Sequence, residues 1–260
     1  MKNILLPTDF SKNSWNAIAY ALQFLENTKC NFYVLHVNNT KNVNVSEKFQ
    51  QLQEQISSTF PVNIHHHFFT LTEQNSFIEA IRNQVEDKRI DMMIIGAKGA
   101  SNSHTNIIGK YTENIITKVK CNVLIIPENA TYSVFDEVAF PTDFTLASDI
   151  QTLTPISTLL DKTKTALRIL YINKTTQQLN HRQQANKALL EDFLDDHEYS
   201  FHFLTNTNIE DALENFTESK HINLMIMAAK NLNYFKQILF HSKVDNISYH
   251  TNIPFLVLHE

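Results

Sequence analysis

The chain has 260 residues, 43% of them hydrophobic and 19% charged, with acids and bases mixed to a formal net charge of -5. That length suits two domains of roughly 100–200 residues, each able to bury a core, and the mixed charge gives no electrostatic argument for nucleic acid or an anionic membrane as partner, so neither is expected. No apolar run approaches the roughly 20 residues needed to span a bilayer, and Pro7 with Asp9 interrupts the N-terminal run too early for a signal peptide, so a cytoplasmic protein is expected.

In chain order, a first strand is predicted at 2–6, running into Leu6-Pro7-Thr8-Asp9-Phe10, then a helix at 11–27. Ser11 is its expected N-cap, and Trp15, Ile18, Ala19, Leu22 and Leu25 recur every three or four residues as its expected buried face. Further strands are predicted at 30–37, 62–69, 91–95 and 122–126, with helices at 45–59, 75–88 and 111–120. Cys30 and Cys121 sit in or beside apolar runs and read as buried thiols, outside any metal-ligand spacing. His36, between Leu35 and Val37, reads as a packed core or rim residue. His65-His66-His67 falls in the 62–69 strand, where neighbours alternate faces, so His65 and His67 share a side. Two imidazoles fall short of the three or four ligands a zinc site takes, and no metal site is predicted.

The chain then repeats itself. Phe140-Pro141-Thr142-Asp143-Phe144 follows Leu6-Pro7-Thr8-Asp9-Phe10 at an offset of 134, and Ile226-Met227-Ala228-Ala229-Lys230 follows Ile94-Ile95-Gly96-Ala97-Lys98 at 132. Phe255-Leu256-Val257-Leu258 likewise repeats Val123-Leu124-Ile125-Ile126. An internal duplication is the economical account, giving domains at 1–129 and 134–260 with the seam in the polar stretch Glu128–Ser133. Strands of the second copy are predicted at 136–140, 165–172, 199–204, 223–227 and 254–258, with helices between. Such alternation implies an α/β class of two tandem doubly wound parallel-sheet domains with right-handed crossovers.

The three glycines, Gly96, Gly99 and Gly109, all fall in one fourteen-residue stretch between the predicted strand at 91–95 and the helix at 111–120. A loop of this kind at a helix start offers converging backbone N–H groups to an anion such as phosphate. It is not a Walker A loop, which would place glycine and Ser or Thr where His104 and Tyr111 stand, and there is no G-x-G-x-x-G. Glycines that merely make turns are the competing reading, although Asn and Asp are abundant here and also serve turns.

The spacing Gly96-x2-Gly99-x9-Gly109, together with Leu6-Pro7-Thr8-Asp9-Phe10 and Leu35-His36-Val37, resembles the universal stress protein family over residues 1–127. The resemblance implies a five-stranded Rossmann-like domain in which the first and fourth strands are neighbours and ligands bind beyond their carboxyl ends. It further implies ATP or a related adenine nucleotide as ligand: Gly96, Gly99 and Gly109 with the N–H groups of Lys110 and Tyr111 around the phosphates, and Pro7, Thr8, Asp9 and Val37 toward the nucleoside. Asp9 can help to hold Mg²⁺ through the nucleotide. A tandem pair resembles an intramolecular version of the family's homodimer, a pseudo-dimer in which strands 122–126 and 254–258 meet, and a homodimer of the whole chain is compatible with it.

Two departures shape the functional expectation. The family's binders place Ser or Thr after the last glycine, where this chain has Lys110, a point charge able to pair with phosphate, and Thr112 can supply the hydroxyl two residues on. The second copy carries Ala228, Asn231 and His241 at the glycine positions and reads as a degenerate domain without the nucleotide loop. No activated nucleophile or paired-carboxylate motif stands out. The expectation is an adenine-nucleotide-binding regulatory protein of the stress response with little or no hydrolysis. A scaffold that binds no nucleotide and a slow ATPase are the alternatives, and the protein partners are unspecified.

Overall fold

Six residues, Lys2–Pro7, form β1, whose apolar core Ile4, Leu5 and Leu6 is buried. The computed structural model describes residues 1–38, 44–74, 76–97, 110–145, 153–162, 164–173, 178–205, 209–229 and 253–259. It divides into two units, Met1–Tyr132 and Ser133–Glu260.

In the first unit, β1 is followed by α1 (Lys12–Phe24), β2 (Cys30–Val37), α2 (Val45–Thr59), β3 (His66–Glu73), α3 (Phe77–Asp87), β4 (Met92–Gly96), α4 (Lys110–Lys118) and β5 (Val123–Ile126). The strands lie in the order β3-β2-β1-β4-β5, and every pair is parallel. The second unit carries β6 (Glu137–Pro141), α5 (Thr154–Lys162), β7 (Ala166–Asn173), α6 (His181–Phe193), β8 (Tyr199–Thr205), α7 (Ile209–Ser219), β9 (Leu224–Ala228) and β10 (Phe255–Leu258). Its order is β10-β9-β6-β7-β8, again parallel, so each unit is a doubly wound α/β domain. Several strands read as near-continuous apolar runs because helices cover both faces of such a sheet, and all residues of β5, β9 and β10 are buried.

Two expectations change. β3 starts at His66, four residues later than predicted, because Asn63 builds a turn: its Oδ1 accepts from His65 N at 3.0 Å, its Nδ2 donates to Glu26 O at 2.8 Å, and its carbonyl accepts from His66 N at 3.1 Å. His65 therefore precedes the strand, and strand alternation no longer pairs it with His67; no cluster of three metal-ligating side chains occurs among the described residues. On α1 the buried face is Ser14, Ala17, Ile18, Ala21 and Leu22 with Tyr20, whereas Trp15 and Ala19 are only half-buried. Trp15 instead sits near Phe60, with ring centroids 6.4 Å apart. Cys30 and Cys121 are free and buried, and burial raises the Cys121 thiol to about 12.

The units repeat each other's turns as well as their sheets. After α3, Arg89 takes φ 48, Ile90 N donates to Val85 O at 3.0 Å and Arg89 N to Glu86 O at 3.2 Å. After α7, His221 takes φ 53, Ile222 N donates to Thr217 O at 2.9 Å and His221 N to Glu218 O at 3.2 Å. Both are Schellman caps in which a bulky side chain occupies the left-handed position usually given to glycine.

A crevice at the switch point of the first sheet

β1 is the branch point of the first sheet: the chain leaves it for β2 on one side, and β4 flanks it on the other. Helices diverge from such a point and leave a crevice beyond the carboxyl ends of the two strands. The β1–β4 register sets Leu5 beside Met93, so three residues further on the chain reaches Thr8 on one side and Gly96 on the other.

Pro7 closes β1 opposite Leu35 and is buried. Thr8, also buried, holds the turn that follows: its N–H donates to Leu35 O at 2.8 Å, its hydroxyl donates to Ser14 Oγ at 3.0 Å, and its Oγ1 accepts from Phe10 N at 3.0 Å. The exposed Asp9 accepts from Ser11 N at 3.0 Å through Oδ1, and Ser11 caps α1 by accepting from Ser14 N at 3.3 Å. Phe10 is thereby fixed at φ 60, and its ring lies tilted against His36 at 4.7 Å and edge-on to Phe49 at 5.2 Å. His36 Nδ1 lies 2.8 Å from Thr8 O; a carbonyl only accepts, so that nitrogen carries the proton.

The second unit builds the same turn. Phe144 N donates to Thr142 Oγ1 at 3.0 Å, Thr145 N to Asp143 Oδ1 at 2.9 Å, Thr142 N to Leu170 O at 2.8 Å, and Phe144 has φ 56. Helix-start capping is thus a role of Thr8 and Asp9 in its own right. Ser14, and Phe10 with its left-handed backbone, complete the turn and were missed in the sequence; recurrence of Phe after Pro-Thr-Asp in both copies was the available signal.

Across the crevice, β4 ends at Gly96, buried and paired with Ile126, and no described glycine has positive φ. β9 ends in the same way at Ala228, 5% exposed and paired with Leu258. The strand end therefore accommodates a Cβ, and its glycine is not a demand of the strand backbone. Thr112, in the first turn of α4, is 2% exposed and points its hydroxyl at Gly96 O, 3.3 Å, and Ala97 O, 3.2 Å. A hydroxyl has one proton to give, so Thr112 ties α4 to β4 in place of offering that proton to an anion. Lys110 opens α4, and Tyr111 is 52% exposed with its ring edge-on to Phe77 at 5.0 Å. Val37 is half-buried at the end of β2, beside Glu73 of β3. Gly99 and Gly109 lie outside the described residues, as do Asn231 and His241 of the second unit. A cavity of about 80 Å³ beside the turn, lined among others by Thr8, Ser11, Ser14 and Lys48, has room for water but not for a nucleoside.

Residues 1–127 match the model of the universal stress protein family. Residues 1–127 are thus a domain of the universal stress protein family. Among solved structures, a universal stress protein from Archaeoglobus fulgidus DSM 4304 is 18% identical, with 99% of this chain and 98% of that chain covered and a TM-score of 0.65. A functionally unknown protein from Pseudomonas aeruginosa PAO1 is 10% identical, with 99% of this chain and 92% of that chain covered and a TM-score of 0.63. At these identities the likeness shows the fold, over nearly the whole of this chain. No curated protein matches it in sequence. No helix among its described residues is long and apolar enough to cross a membrane.

Proposed function

We infer that this chain is a regulatory protein of the stress response whose first unit binds ATP or a related adenine nucleotide, with little or no hydrolysis. The observation that carries this reading is the contrast between Gly96 and Ala228: same strand end, same pairing, same burial, different residue. A strand end that tolerates alanine has another reason to lack a side chain, and close approach of a ligand to the backbone supplies one. The remaining glycines fall between that strand end and the start of α4, where N–H groups and the positive end of the helix dipole favour phosphate. The family relation of residues 1–127 supports the nucleotide as the class of anion.

In this reading Gly96, Gly99 and Gly109 with Lys110 and Tyr111 surround the phosphates, Pro7, Thr8, Asp9 and Val37 face the nucleoside, and the exposed Asp9 would help to hold Mg²⁺ through the nucleotide. Domains at 1–129 and 134–260 follow from it, the second a degenerate copy that binds no nucleotide. One finding favours the scaffold alternative: the Thr112 hydroxyl proton is committed to Gly96 and Ala97, so Lys110 alone replaces the side chain usual after the last glycine.

Denaturing freshly purified protein and identifying the released small molecule by mass spectrometry separates the two, with Gly99→Val prepared alongside. Near-stoichiometric adenine nucleotide, absent from the variant, is expected. Protein that arrives empty and whose melting temperature ignores added ATP would leave the scaffold reading.

A further inference from the structure

At the amino-terminal end of the first sheet, away from the glycine-loop crevice, an open cavity of about 850 Å³ lies between the last turns of α1 and α2 and the beginning of β3. Its size is within the roughly 300–1,000 Å³ of small-molecule sites. Apolar walls come from Leu22, Ile56, Phe60 and Phe68, and Val62 and Ile64 on the connection to β3 are 92% and 79% exposed.

Glu26 is the carboxylate among the cavity's described lining residues, which include no Lys or Arg and two histidines, His65 and His66. Both helices end here, and neither carries a basic residue in its last turn, so no cationic side chain of their own offsets the partial negative charge of their carbonyl ends, although the Ser57, Ser58 and Thr59 hydroxyls of α2 donate to Gln53 O and Gln55 O. The floor is fixed by Asn63, which donates to Glu26 O at 2.8 Å, and by His66, whose Nε2 carries a proton to Leu25 O at 3.0 Å. An anion would find no Lys or Arg. A cation would find a carboxylate, two helix ends and aromatic rings.

We propose that this cavity is a second ligand site, for a small organic cation in which an ammonium group is carried on an apolar or aromatic body. The ammonium lies toward Glu26 and the helix ends, and the body covers Phe60, Phe68 and Ile56. No residue of the glycine-loop crevice takes part.

Amide NMR spectra of the full chain, titrated with phenethylammonium and separately with phenylethyl alcohol as its uncharged counterpart, test the site. Shifts confined to residues 22–27, 53–57 and 60–68 are expected, with the ammonium binding tighter than the alcohol. Glu26 is exposed, so Glu26→Gln keeps the fold; it should weaken the ammonium about threefold to fivefold, the scale of an exposed ion pair, and leave the alcohol unchanged. Unshifted resonances, equal binding of the two probes, or an ammonium affinity indifferent to Glu26→Gln would each overturn the proposal.

Discussion

Thr8 Oγ1 stands 3.0 Å from the backbone nitrogen of Phe10 and accepts its proton, and the same hydroxyl donates to Ser14. One buried side chain thus fixes the left-handed backbone that starts α1. Thr8→Val keeps the shape and removes both bonds, leaving a partly buried N–H without its acceptor. A loss of about 1–3 kcal/mol is expected, read as a lower urea midpoint with unchanged slope.

Gly96→Ala separates folding from binding. Because β9 carries Ala228 with the same pairing, the variant should unfold at a temperature close to that of the parent. In the nucleotide-binding reading its thermal shift with ATP should fall sharply, since stabilisation by a ligand follows RT ln(1 + [L]/Kd). An undiminished shift would remove the close-approach argument.

Arg89 and His221 occupy left-handed positions where a Cβ is strained. Arg89→Gly and His221→Gly should each stabilise by about 0.5–1 kcal/mol, the relief exceeding the added flexibility of the unfolded chain. Chemical denaturation of the two variants and of their combination checks this; the sites lie in different units, and their effects should add.

Arg168 forms a two-pronged ion pair with Glu137, Nε–Oε2 at 2.5 Å and Nη2–Oε1 at 2.7 Å, and this partner holds the guanidinium pKa above its usual value. Its Nη1 donates to Ser200 Oγ at 3.1 Å, and Ser200 Oγ in turn lies 2.8 Å from His202 Nε2; to the unprotonated form of that nitrogen the hydroxyl donates. Burial, then Lys220 and Arg168, lowers the His202 pKa from 6.5. With the folded value below the unfolded one, the unfolded chain binds more protons in between. Stability is therefore whole above about pH 6.5 and falls as pH drops toward the folded pKa. His202→Gln should flatten that part of the stability profile measured by denaturation between pH 7 and pH 5, taken on the scale of an ordinary histidine; an unchanged slope would exclude His202 as its source.

The sequence by itself determined the parallel α/β class and the duplication, because buried parallel strands must be apolar runs and because Pro-Thr-Asp-Phe recurs with its flanking strand. It also singled out the stretch after β4, since glycine is confined to it. Tertiary structure decided what periodicity does not encode. The α1 face turned toward Ala17 and Ala21 because small residues let the helix lie close on the sheet, while Trp15 met Phe60. β3 began at His66 because the Asn63 side chain captured the preceding backbone. The Thr112 hydroxyl went to Gly96 and Ala97 because, at a buried helix start, the nearest strand-end carbonyls are its partners. Each is a long-range or side-chain-to-backbone bond, and one-dimensional spacing carries no record of which partner such a bond will find.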